Sequence, residues 1–330
     1  MNGNEDLITV LYGRVLKRVP SEGEFQEWVT ALESGTSPAT VVAAFYNSSE
    51  YQAKNSVKSA YRERDGSRLA EPDGSMRFPL FVVGSARSGT SALANVLWNI
   101  GYHGFGEGHF LTMLRGIDTL VDQHYVEFPQ TGDMLWHIDK GDLKRSLFET
   151  FRPLTDAANP KQPWFDKTPS SDMIWAIPIL RELWPSSVFV FAKRRGIENL
   201  VSRIKKFPDR PFEEQCADWA GSMAAWRNIR PQLPPECFIE VEQRDMIQQP
   251  DWIARRLCTF LHADESAVQA ACKVLSTPGA EESDKGSASK TLSLAESGWT
   301  QEQTETFLEY CANEMEEFGY TMDEHYNVAS

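Results

Sequence analysis

The stretch FVVGSARSGTSALANVL, residues 81–97, limits what this chain can fold into more than any other. An apolar run of β-type residues enters a loop of small residues, and a helical pattern leaves it. A loop so placed aims backbone amides from the start of the following helix, where the partial positive charge favours an anion. Gly84 and Gly89 permit tight turns, and the amides of residues 87–91 converge. Arg87 adds a planar cationic fork suited to phosphate or sulfate oxygens, and Ser88, Thr90 and Ser91 add hydroxyls. Kinase and ATPase loops carry lysine where this chain has Thr90, and they work with a carboxylate-held magnesium. The missing lysine argues against that class. Taken alone, a glycine-rich strand-to-helix turn also serves purely structural ends.

From Phe78 onward, β-type runs (FPLFVVG, SSVFVFAKR, CFIEVEQ) alternate with longer helical patterns. That alternation predicts an α/β domain: a P-loop-like parallel sheet flanked by helices, over residues 78–330. A small all-α domain precedes it, over residues 1–60. There Leu7, Val10, Leu11 and Val15 recur at helical spacing, and Ser21 caps a second helix carrying Phe25, Trp28, Val29 and Leu32. Gly35 and Pro38 then lead into a third, with Val41, Val42 and Phe45. Residues 61–77 are charged, with glycine and proline, and read as a linker. The net charge of -14 argues against nucleic acid and other large polyanions as partners. Five scattered cysteines, with no histidine at metal-ligand spacing, read as reduced thiols rather than a metal site. No hydrophobic signal core and no run of membrane-spanning length is present, so a soluble cytoplasmic protein without a transmembrane segment is expected.

A second anion motif lies in VFVFAKRRGIENLVSRIKKF, residues 188–207. An arginine at a strand's carboxyl end, Arg194, and a serine two turns into the next helix, Ser202, can meet on one phosphate. Alone, the run KRR would read as the solvated start of a helix. Together, GSARSGTSAL and this segment resemble the two nucleotide motifs of the sulfotransferases, with RSGTS closest to the tyrosylprotein and bacterial branches. Glu198 takes the acidic position of the second motif, and Gly196 stands where that family usually has proline. The resemblance implies 3′-phosphoadenosine-5′-phosphosulfate (PAPS) as co-substrate, adenosine 3′,5′-bisphosphate (PAP) as product, and no metal. It puts Arg87, Ser88, Gly89, Thr90 and Ser91 on the 5′-phosphate, and Arg194 and Ser202 on the 3′-phosphate.

Further segments extend the resemblance over residues 78–320. FDKTPSS is similar to a segment whose lysine, here Lys167, reaches the reacting phosphosulfate. SDKGSASK is similar to a basic loop that closes over the 3′-phosphate, which implies Lys285 and Gly286 as contacts; an exposed loop without a role fits almost as well. In NIGYHGFGEGHFLTML, Gly106-Glu107 falls where the arginine-loop enzymes have a catalytic glutamate. Glu107 is therefore the expected base, desolvated by Phe105 and Phe110, with His109 as its rival. The implied acceptor is a small-molecule, lipid or saccharide hydroxyl, bound by loops within residues 108–165. The reading from a different class is a non-catalytic interaction module that keeps the nucleotide fold. At the N-terminus, LYGRVLKRVPSEGEFQEWVTALESGTSPATVVAAFYNSSEYQ resembles a bacterial domain of unknown function, which implies docking or self-association rather than chemistry.

Overall fold

Short apolar runs buried on both faces build a parallel sheet at the centre of the larger unit. The computed structural model describes residues 3–16, 18–51, 76–127, 134–277 and 291–327. Five strands, β1 (Leu80–Gly84), β2 (His103–Phe105), β3 (Trp164–Lys167), β4 (Val188–Lys193) and β5 (Phe238–Glu242), lie in the order β2-β3-β1-β4-β5. All four neighbouring pairs are parallel. β1, β4 and β5 are the three runs visible in the sequence. β2 and β3 are not, because they span only three and four residues and β2 exposes His103 and Phe105 at the sheet edge.

Side chains alternate between the faces, as the period of two requires. Leu80, Val82, Val190, Ala192 and Val241 pack against the helices Thr90–Asn99, Pro250–Leu261 and Glu265–Ser276. On the other face Phe81 stacks on Phe189 with centroids 5.5 Å apart, and Phe191 lies 4.4 Å from Trp226 of the helix Phe212–Ile229. Tryptophans such as Trp219 and Trp226 are thus packing residues. At the end of β1, Gly84 has φ +142° and a Cβ there would meet the Ala192 carbonyl oxygen at 2.2 Å, so the strand passes into the loop only as glycine.

The chain divides into two compact units, Met1–Gly66 with Leu114–Leu147, and Ser67–Met113 with Phe148–Ser330. In the first, the helices Gly3–Val10, Glu22–Glu33 and Pro38–Asn47 form as the sequence predicts. Ser21 and Glu24 make a reciprocal capping box, and Ser37 caps the Pro38 helix. The buried stripe is Leu7, Ile8, Leu11 and Tyr12, which turns Val10 to the opposite side, where it is exposed. Arg18 clamps Glu24 and Glu50 at 2.8 and 2.6 Å. In the segment from 114 to 147 of that unit, Lys144 joins Asp118 and Asp122 at 2.6 and 2.8 Å. Among the described residues no helix is long and apolar enough to cross a membrane. Most of the linker segment, and Lys285 and Gly286, lie outside the described residues.

Candidate active site

The loop after β1 is held from one face of the helix Gly196–Lys206. Asn199 Nδ2 donates to the Ala86 carbonyl and to Ser88 Oγ, both at 3.0 Å. Arg203 donates from Nη2 to Ser85 Oγ at 2.8 Å and from Nε to Asn199 Oδ1 at 2.9 Å. Positions 199, 202 and 203 share a face because they lie three and four residues apart. From that face Ser202 Oγ accepts from Arg87 Nε at 3.0 Å, while Arg194 Nη1 donates to the Arg87 carbonyl at 3.1 Å. Arg87 and Gly89 both have left-handed backbones, with φ of 68° and 89°. The two expected phosphate motifs therefore form one continuous structure. Ser85, Ser88 and Thr90 are buried in it, and Ser91 is half-buried. The helix Thr90–Asn99 begins at Gly89 with no side-chain cap, which leaves its first-turn amides for an anion.

The run Lys193-Arg194-Arg195 separates into three environments. Lys193 pairs with Glu240 at 2.7 Å. Arg195 is fully buried; it donates to Glu198 at 2.8 Å and to the carbonyls of Asp323 and His325 at 3.0 and 3.1 Å. Glu198 is thereby the partner of Arg195. Arg194 is buried as well, yet its Nε finds no partner among the described residues. Burial depresses its pKa, and Arg87 adds a like charge. A bound anion would relieve both costs.

A second cluster surrounds the turn after β2. Lys167, buried at the end of β3, pairs directly with Glu107, and His109 Nε2 lies 3.5 Å from the same carboxylate. Lys167 is in register with Val82, so this cluster and the loop sit at the carboxyl ends of adjacent strands. The expected desolvation falls on a different carboxyl. Glu107, Phe105 and Phe110 are exposed, whereas Asp166 is buried, and burial pushes its pKa up to about 6. Asp166, Thr168, Asn199 and Arg203 were not singled out from the sequence. Asp166 and Thr168 flank Lys167 in FDKTPSS; Asn199 and Arg203 share the helical face of Ser202, and that spacing was the available signal.

The family model for the sulfotransferase family matches residues 79–266. Residues 2–55 match a domain of unknown function (DUF4214). No curated protein matches the chain. Among solved structures, the sulfotransferase domain of the Synechococcus PCC 7002 olefin synthase is 15% identical with a TM-score of 0.47, covering 77% of this chain and 99% of that one. Sulfotransferase STF9 from Mycobacterium avium is 15% identical with a TM-score of 0.45, covering 97% of this chain and 98% of that one. Sulfotransferase STF1 from Mycobacterium tuberculosis is 16% identical with a TM-score of 0.42, covering 93% of each chain. With its family match extending over more than half of the sequence, the chain belongs to the sulfotransferase family.

Proposed function

We propose that this protein transfers a sulfuryl group from PAPS to a hydroxyl of a carbohydrate, lipid or small metabolite. The observation that carries the reading is the union of Arg87, Ser88, Arg194 and Ser202 around one loop, with a buried Arg194 Nε that has no partner among the described residues. In this reading Arg87 and the amides of residues 88–91 hold the 5′-phosphate, and Arg194 with Ser202 holds the 3′-phosphate. Lys285 and Gly286 complete the 3′ side by resemblance alone.

PAPS supplies a sulfuryl group on a phosphate leaving group, and charge grows on that phosphate as the S–O bond breaks. Cations and amides fixed at the leaving phosphate are therefore the main source of acceleration. Lys167 is the side chain assigned to the bridging oxygen. Glu107 takes the acceptor's proton, with His109 beside it to orient the hydroxyl. The carboxylate and ammonium pair with each other, which keeps both at the strand ends where the chemistry is assigned.

Isothermal titration with PAP and turnover of radiolabelled PAPS test the reading. PAP binding without transfer to any acceptor would assign a non-catalytic module instead. Arg194→Ala is expected to abolish the preference for PAP over adenosine 5′-phosphate; equal binding of both nucleotides by the wild type would overturn the 3′-phosphate assignment. The N-terminal unit is assigned to docking or self-association, and the setting to the cytoplasm of a bacterium, with no metal in the reaction.

A further inference from the structure

Asp166 is the buried side chain around which the turn carrying Glu107 and His109 is built. It lies on β3 between β2 and β1, in register with Phe105 and Phe81. Its Oδ1 accepts from Thr168 Oγ1 at 2.7 Å, and Thr168 Oγ1 in turn accepts from the His109 backbone N–H at 3.2 Å. A hydroxyl has one hydrogen. With that hydrogen committed to Asp166, the lone pair is left facing the His109 amide. The chain of carboxylate, hydroxyl and amide ends on a residue with left-handed backbone, His109 at φ 55°. A conformation of that kind in a non-glycine residue needs outside support.

The opposite oxygen of the same carboxylate sets the other half of the turn. A Cβ at Gly108 would lie 1.6 Å from Asp166 Oδ2, so the turn rests on the carboxylate only because residue 108 has no side chain. The Gly108 N–H also donates to the Lys167 carbonyl at 3.4 Å. The titratable groups facing Asp166 are Glu107 and His109 from the turn and Lys167 from its own strand.

We propose that Asp166 is a positioning residue for sulfuryl transfer, holding through the Thr168 hydroxyl the 107–109 turn that presents Glu107 and His109 to the acceptor. The inference rests on the reading of this site as a PAPS-dependent one. A carboxylate accepts a hydroxyl hydrogen about twice as strongly as a neutral carboxyl does. The turn is therefore held best when Asp166 is ionised, above about pH 6. Turnover should rise through that interval.

The test uses the full chain with radiolabelled PAPS, and para-nitrophenol, decanol and methyl glucoside as probe acceptors, with PAPS hydrolysis followed in the same assay. PAP affinity is read by calorimetry, and hydrogen exchange is read at the His109 amide. Thr168→Val is expected to lower kcat about 10- to 100-fold, the scale of a small misplacement of a reacting group, with PAP affinity changed less than about twofold. It should also speed exchange at the His109 amide. Thr168→Ser should restore both. Asp166→Asn keeps an oxygen for Thr168 but no charge, and should lose the wild-type rise in kcat near pH 6. If wild type turns over and Thr168→Val matches it, or Asp166→Asn retains the wild-type pH profile, the positioning role is wrong while the functional reading stands. If Thr168→Ser is as slow as Thr168→Val, packing rather than the hydrogen bond holds the turn, and the proposal fails. Wild type that neither binds PAP nor consumes PAPS overturns the functional reading, and this role with it.

Discussion

Lys193, Arg194 and Arg195 carry the same charge and meet three different fates. Glu240 takes the first and Glu198 takes the third, and the middle residue keeps a buried nitrogen beside the loop with no partner among the described residues. A buried cationic nitrogen without a hydrogen-bond partner is costly, which is the reason an anion is proposed to complete this site. The same reasoning separates the two carboxylates at the neighbouring strand end. Asp166 is enclosed and tied to Thr168, while Glu107 is exposed where an incoming hydroxyl can reach it. Glu107→Gln is therefore expected to lower kcat about 100-fold, the usual scale for a lost general base, with PAP affinity intact. Should Glu107→Gln keep wild-type kcat while His109→Ala abolishes turnover, the roles of the two residues are exchanged.

At the level of elements, the chain's last described segment is fastened to the sheet beside the loop after β1. Glu242, ending β5, accepts from Tyr320 at 2.7 Å and from Tyr326 at 2.6 Å, and the Tyr326 oxygen accepts from the Arg195 N–H at 2.9 Å. Residues 320–326 thus reach the start of the helix that holds the loop. Burial pushes the Glu242 carboxyl up to about 7 from its usual 4.5. A raised folded-state pKa means that folding favours the neutral acid. That stabilisation is complete below the usual carboxylate range and is lost as pH rises through about 7. Wild-type Tm should therefore fall, relative to Glu242→Gln, as pH is raised from about 5 to about 8. Thermal scans in which the two proteins run parallel across that range would show that Glu242 stays ionised in the fold.

For the whole molecule, the candidate residues from the loop, from β3, from the turn after β2 and from the helix Gly196–Lys206 all belong to the unit Ser67–Met113 with Phe148–Ser330. A truncation beginning near Arg77 should then bind PAP with affinity within about twofold of the full chain, because it removes none of the candidate residues. The cost should appear in Tm, because Leu114–Leu147 remain without the rest of their own unit. Calorimetry and thermal scans on both proteins check this. Lost PAP binding by a folded truncation would mean that the N-terminal residues serve the site proposed for the nucleotide.

The sequence by itself determined the features that neighbouring residues encode. The apolar run, small-residue loop and helix around Gly84–Ser91 appear where their order says they must, as do the helix cap at Ser21 and the three longer strands. Each is a matter of periodicity, backbone freedom or a side chain reaching three residues along the chain. The short strands β2 and β3 carry too few residues for any period to show; β3 forms on the edge of β1, and β2 on the edge of β3. Which cation keeps a buried nitrogen without a partner among the described residues, and which carboxyl is desolvated, only the tertiary structure decided. Glu240 reaches Lys193 from 47 positions away, and Thr168 reaches His109 from 59. Burial and ion pairing depend on groups brought together by the sheet, and a local pattern does not contain them.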